Sequence, residues 1–265
     1  MNFLLETAIT AAKEAGKIQL DHLGKDIDIT HKGVVDLVTK VDKLCERNII
    51  SILSEAFPDH SFLAEEENHE IDPDAKYRWI IDPLDGTTNY AHSYRFFCTS
   101  IALENVSLST KNYSEIVLGV VYDPVTDELF HAEKGKGAFL NNKTIKVSNT
   151  SDLSNSLLST GFPYDIRESK DNNFDHFKKF ALTAQAIRRD GAAALDLCYL
   201  ACGRFDGFWE LKLKPWDLAA GTLIVKEAGG RVTNFNNEEL DIYNDDVLAS
   251  NNSIHDEMIT ILNDN

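Results

Sequence analysis

The stretch WIIDPLDGTTNY, Trp79 to Tyr90, runs from an apolar segment straight into two aspartates, a proline, a glycine and two threonines. Trp79, Ile80 and Ile81 read as a buried strand. Pro83 and the Asp85–Gly86 pair are turn chemistry, because proline presets φ and glycine takes positive φ without steric cost. The acids then have two readings. They are solvated turn residues, or Asp82 and Asp85 converge on a cation just past the strand end, which requires further carboxylates from elsewhere in the chain.

Three other acidic features stand where they could join them. Glu65 and Glu66 follow the short apolar run SFLA (Ser61 to Ala64), where glutamates are commonly just solvated. Asp42 ends VVDLVTKVD, a loosely alternating stretch that reads as a strand. Asp217 opens the apolar helical run in KPWDLAAG, a place where aspartate also serves simply as an N-cap. Hard divalent cations such as Mg²⁺ take oxygen ligands, often one or two carboxylates per ion, with water and substrate phosphate completing the shell.

Composition narrows the partners. At 265 residues the chain is long enough for one large domain or two medium ones, with a core that needs no staples. Cys45, Cys98, Cys198 and Cys202 form no CxxC pair and have no close histidine, so they read as reduced core residues of a cytoplasmic protein. The N-terminus has Leu4, Ala8, Ala11, Ala15 and Ile18 near helical spacing, broken by Glu6, Lys13 and Glu14, which fits an amphipathic helix rather than a signal peptide. The formal charge of −17 argues against nucleic acid or an anionic membrane as partner. Such a chain would also repel a phosphate ester unless bound cations inverted the local field.

Along the chain, KLCERNIISILSEAF reads as a helix with Cys45, Ile49, Leu53 and Ala56 on one stripe, ended by Pro58. RWIID, FFCTSIALE, IVLGVVYD and ELFHAE, joined by turn signals, predict an antiparallel sheet. From about Leu157 strands and helices alternate, predicting an α/β second half. The expected division is 1–150, an α+β part carrying most candidate ligands, and 151–265, an α/β part carrying the last. A cleft site is expected between them.

DLVTKVD (Asp36 to Asp42), FLAEE (Phe62 to Glu66), WIIDPLDGTTNY, RRDGAAALD (Arg188 to Asp196) and PWDLAAGTLIVKEAGG (Pro215 to Gly230) together resemble the inositol monophosphatase family of Mg²⁺-dependent, Li⁺-sensitive phosphatases. The blocks stand in family order over nearly the whole chain. DGTTN resembles the inositol phosphatase type rather than relatives acting on 3′-phosphoadenosine phosphates or histidinol phosphate. Ala64 stands where the family often has glycine, and the loop from His31 to Val35, with Lys32, looks short.

The resemblance implies a layered α/β/α/β/α sandwich of the inositol monophosphatase/fructose-1,6-bisphosphatase type, two to three Mg²⁺ ions and commonly a homodimer. Glu65, Asp82 and the Leu84 carbonyl match ligands of a first ion; Asp82, Asp85 and Asp217 match those of a second; a third, weaker ion would lie near Glu65. Gly86 and Thr87 match positions whose backbone N–H groups hold phosphate. Asp42 matches the residue that orders the site through Thr87, while Asp85, Ala193 and Glu210 match contacts to substrate hydroxyls. The implied reaction is hydrolysis of a phosphate monoester by activated water, with Thr87 and Glu65 orienting that water. Inositol monophosphate is the leading substrate. Fructose 1,6-bisphosphate, the 2′-phosphate of NADP, or a moonlighting role beside the transcription machinery are the alternatives.

Overall fold

The computed structural model describes residues 3–25, 29–31, 37–67, 75–107, 115–244 and 246–264. Beyond His31, the His31–Val35 loop with Lys32 therefore lies outside the described residues, as does Asp36.

Two helices open the chain, α1 (Phe3–His22) and α2 (Lys40–Ala56), with a small antiparallel pair, β1 (Ile29–His31) and β2 (Leu37–Thr39), between them. A seven-stranded sheet follows, built from β3 (Ser61–Ala64), β4 (Tyr77–Asp85), β5 (Cys98–Asn105), β6 (Ile116–Asp123), β7 (Glu128–Glu133), β8 (Ala138–Leu140) and β9 (Lys143–Thr144) in sequence order. Only β3 pairs parallel; every later pairing in this sheet is antiparallel, as the run of short turns predicts. The short helix α3 (Thr87–Ala91) follows β4 directly.

The second sheet has the order β11–β10–β12–β14–β13, from β10 (Leu157–Thr160), β11 (Ala186–Arg188), β12 (Gly207–Glu210), β13 (Arg231–Thr233) and β14 (Val247–Ser250). Its connecting helices are α4 (Phe174–Thr183), α5 (Ala193–Ala201) and α6 (Pro215–Glu227), and α7 (His255–Asn263) closes the chain.

Strand alternation sorts these elements into layers. On β4, Trp79 and Ile81 point into a core with Leu5, Ala8 and Ala12 of α1 and Cys45, Ile49 and Leu53 of α2. Ile80 points the other way, into a core shared with Leu195 and Leu197 of α5, Leu218 and Ile224 of α6, and Phe208 and Val247 of the second sheet. Trp209, next to Phe208, faces outward onto Phe180 of α4, ring centroids 4.2 Å apart, and Met258 of α7. The sequence of layers is therefore α1/α2, first sheet, α5/α6, second sheet, α4/α7. This is the expected α/β/α/β/α sandwich. Each such fully buried large apolar side chain contributes about 1.5–3 kcal/mol.

The middle layer positions the site. A Cβ at Gly119 of β6 would lie 2.9 Å from the Ala220 carbonyl, so only glycine lets the α6 backbone rest on the sheet. That contact brings the start of α6 toward the end of β4. All four cysteines are free, with Cys45, Cys98 and Cys198 buried. Among the described residues no helix is long and apolar enough to cross a membrane.

Candidate active site

Asp82 and Asp85 are three residues apart, so on a regular strand they would point to opposite faces. Pairing with β5 shifts between them: Asp82 sits opposite Ser100 and Asp85 opposite Cys98, three steps against two. The extra residue makes a bulge in which Pro83 and Leu84 together face Thr99, a place that tolerates proline's missing N–H. The bulge turns both carboxylates to one side. The turn is braced from behind by the buried Gln19 of α1, whose Nε2 donates to the Pro83 carbonyl at 2.8 Å and to Thr99 Oγ1 at 2.9 Å.

Asp217 completes the cluster, its carboxylate oxygen lying within 4.8 Å of oxygens of Asp82 and Asp85. It is the third residue of α6, and its Oδ2 accepts the Lys214 N–H at 2.7 Å. Helix capping and ligation are thus compatible. Glu65 lies in the bend after β3, outside this tight cluster, yet near enough that its charge is the strongest neighbouring influence on Asp82.

Asp85 has a task that its sequence context does not announce. Its Oδ2 accepts the Ala194 N–H at 2.8 Å, at the start of α5, whose own N-cap residue Ala192 has no side-chain acceptor. A carboxylate there satisfies an orphan donor and suits the helix dipole. Ala193, matched to a hydroxyl contact, is the first residue of that helix. The Cys98 thiol also approaches Asp85 Oδ2, at 3.7 Å.

Thr87 Oγ1 lies 2.9 Å from Asp42 Oδ1 and 3.1 Å from the Leu84 carbonyl. Both are acceptors, so the single hydroxyl proton is directed at them and the remaining lone pairs are left to accept. The expected Asp42–Thr87 link is thus present. The expected strand into Asp42 is not: β2 stops at Thr39 and α2 begins at Lys40 without a loop, placing Asp42 in the first turn of the helix. Gly86, at φ 93°, precedes α3 in the left-handed region that glycine tolerates best, and a Cβ there would also meet the Phe96 carbonyl at 3.0 Å. Asn89 Nδ2 donates to the Asp190 carbonyl at 2.7 Å and the Phe96 carbonyl at 2.8 Å, tying α3 to the loop before α5. Glu210 ends β12, buried.

The donor set is all oxygen and negatively charged, which suits a hard divalent cation. Burial, then the charges of Glu65, Asp85 and Asp217, push Asp82 well above the usual carboxylate range. Burial raises Asp85 to about 6 against the opposing hydrogen bond from Ala194. Burial and the Asp85 charge raise Asp217 to about 7, and burial with the Asp217 and Asp85 charges takes Glu210 to about 8. A bound cation relieves this repulsion, so the residues present fit a metal site.

A pH dependence follows. An acid whose folded pKa is raised is neutral in the fold where it is already charged in the unfolded chain, so its stabilising contribution is complete below about pH 4 and is lost as pH rises through the folded value. With Asp85, Asp217 and Glu210 at about 6, 7 and 8, the metal-free protein is expected to melt at progressively lower temperature from pH 5 to pH 8. Mg²⁺ should restore most of the loss at pH 8 and add little at pH 5. Thermal melts in chelator and in Mg²⁺ across this window check it; a melting temperature that climbs with pH in chelator contradicts it.

The whole chain, residues 1–265, matches the model of the inositol monophosphatase family. It is 44% identical over 255 residues to the inositol-1-monophosphatase of Synechocystis sp., covering 96% of this chain and 86% of that one. It is 39% identical over 264 residues to a protein named putative Nus factor SuhB in Neisseria meningitidis serogroup B, covering 99% and 98%. The structure of inositol monophosphatase from Anabaena superposes with a TM-score of 0.86 at 44% identity, covering 98% and 94%. Fold and site together define a hydrolase of phosphoric monoesters. The chain belongs to the inositol monophosphatase family.

Proposed function

We propose that this phosphatase hydrolyses inositol monophosphate to inositol and phosphate, with Mg²⁺ as cofactor. The observation that carries the reading is the three-aspartate cluster beside a threonine whose hydroxyl is committed to Asp42. Asp82, Asp85 and Asp217, with Glu65 and the Leu84 carbonyl alongside, would hold two to three ions. When bound, Mg²⁺ supplies Lewis acidity that lowers the pKa of a water and offsets charge on the leaving oxygen. Thr87, its proton directed at Asp42 and Leu84, accepts a hydrogen bond from the attacking water and aims it in line with phosphorus, and Glu65 helps take its proton. The N–H groups of Gly86 and Thr87 start a helix and have no intrahelical partner, so they are suited to phosphate oxygens. Phosphoryl transfer asks mainly for positioning and charge, so no Ser, Cys or His nucleophile is needed.

Glu210, beyond the cluster and close enough to feel Asp217 and Asp85, would meet the polyol with Asp85 and the start of α5 at Ala193. In this division of labour the 1–150 part contributes most ligands and the 151–265 part contributes Asp217 and the hydroxyl contacts. A second phosphate, as in fructose 1,6-bisphosphate, or the larger NADP, would look to Lys212 or Lys214. Lys212 Nζ already binds Asp165 at 2.8 Å and Ser169 at 2.8 Å, which favours a monophosphate.

The test is a panel of phosphate esters with wild type and Glu210→Ala. Wild type should prefer inositol 1-phosphate. A carboxylate that accepts hydrogen bonds from substrate hydroxyls discriminates against esters lacking them. Glu210→Ala should therefore weaken kcat/KM for inositol 1-phosphate by about 1–3 kcal/mol, roughly 5- to 150-fold, and leave p-nitrophenyl phosphate nearly unchanged. Parallel losses on both esters would move Glu210 from substrate recognition to support of the metal cluster. A second role beside the transcription machinery is favoured by the similarity to a protein named as a Nus factor. Affinity capture from native lysate, scored for RNA polymerase and its factors, tests that reading.

A further inference from the structure

We propose that Glu46 is a positioning residue for the metal-binding edge of the site, holding Glu65 in place through the backbone of the two residues that follow it; the inference rests on the reading of Glu65 as a metal ligand. Glu46 lies in α2, one turn after Asp42, and is fully buried. Its Oε2 accepts the Glu66 N–H and its Oε1 accepts the Glu67 N–H, each at 2.8 Å. Both oxygens of a buried carboxylate are thus aimed at successive amides of one bend. Such charge-assisted pairs fix direction as well as distance. An apolar side chain of similar size would fill the same space, but would not register this main chain against the helix.

What is held matters more than the holding. Glu66 N is bonded directly to the Glu65 carbonyl carbon, so clamping Glu66 and Glu67 sets where the Glu65 side chain leaves β3 and how it meets Asp82. The same face of α2 grips Thr87 through Asp42 at 2.9 Å. Residues four apart on a helix are separated by about 6 Å of rise and share a face. One rigid turn of α2 therefore sets the position of the water-orienting hydroxyl relative to the Glu65 edge of the metal site. On its exposed side, Arg47 binds the Glu67 carboxylate at 2.6 Å, contacting the same bend through a side chain.

The experiment measures Mg²⁺ binding by calorimetry, together with the Mg²⁺ dependence of turnover and thermal melting. Glu46→Gln keeps the size but has one acceptor oxygen, and its NH₂ must face an N–H. Supporting residues of this kind typically change metal affinity 10- to 100-fold, so its Mg²⁺ dissociation constant should rise about tenfold. The Mg²⁺ concentration for half-maximal turnover should rise in step. Glu46→Asp, which withdraws the carboxylate by one methylene, should shift the same way and carries the test if the Gln variant does not fold. Arg47→Ala should bind Mg²⁺ as wild type does. Because Glu46 acts through Glu65, the Glu46→Gln/Glu65→Gln double variant should bind no more weakly than Glu65→Gln alone. A lowered melting temperature with wild-type Mg²⁺ affinity, or additive losses in the double variant, overturns the inference and leaves the phosphatase reading standing. A wild-type chain that binds no Mg²⁺ removes the metal reading and the inference with it.

Discussion

Chelation of divalent cations with EDTA is expected to abolish hydrolysis of phosphate esters, and added Mg²⁺ to restore it. The reason is electrostatic. The chain carries a formal charge of −17, and three aspartate oxygens crowd within 4.8 Å of one another where a phosphate would have to approach. Without a cation, such a site repels its substrate and lacks the Lewis acid that would lower the pKa of the attacking water. With one, the same carboxylates become an anchor and the local field changes sign. Li⁺ should inhibit, as the family resemblance implies. Initial rates against inositol 1-phosphate in EDTA, in Mg²⁺ and in Mg²⁺ plus Li⁺ check this; full turnover in chelator would end the metal mechanism.

Next in size is the effect of Asp217→Asn. The substitution keeps volume and keeps an oxygen able to accept the Lys214 N–H that the carboxylate now accepts at 2.7 Å, so the helix start survives. What disappears is the charge. Removing one preorganised electrostatic stabiliser typically costs a factor of 10²–10³ in kcat, and a loss of at least about a hundredfold is expected here. Asp85→Asn should do the same, since asparagine can still accept from Ala194. Both are measured at saturating Mg²⁺, so that weakened metal binding does not mimic slow chemistry. Near wild-type kcat for Asp217→Asn would reduce Asp217 to the helix-capping carboxylate that its position alone suggests.

Much of this was legible in the residues. The strand running into Asp82, the antiparallel first sheet, the alternation after Leu157 and the Asp42–Thr87 link all follow from pattern and family resemblance. The layers were implied by the resemblance alone; the structure sorts them, with Trp79 and Ile81 on one face of β4 and Ile80 on the other. Asp42 was misplaced because a stretch with apolar residues at Val35, Leu37, Val38 and Val41 satisfies strand and helix spacing about equally, and the switch at Lys40 carries no proline or glycine. Helix α7 went unread although His255, Met258 and Leu262 stand at helical spacing and are buried. The capping of α5 by Asp85 is a contact between residues 109 apart in the chain, invisible to any local pattern. Its one local sign is an alanine where a helix start wants an oxygen. Glu46 had a sign as well: with Asp42 it interrupts the apolar stripe of Cys45, Ile49 and Leu53, and acids on a buried face need partners.

That long-range cap bears on the order in which the chain is made. By the time residue 150 leaves the ribosome, Glu65, Asp82 and Asp85 have been synthesised, but the Ala194 amide and the Asp217 carboxylate have not. Until they arrive, the acids of the DPLD turn have neither the helix start that steadies one of them nor the third aspartate that makes a cation worth holding. The three-aspartate cluster is therefore completed only when α6 has been made. A chain interrupted between α3 and α6 carries the whole of WIIDPLDGTTNY and an incomplete carboxylate cluster.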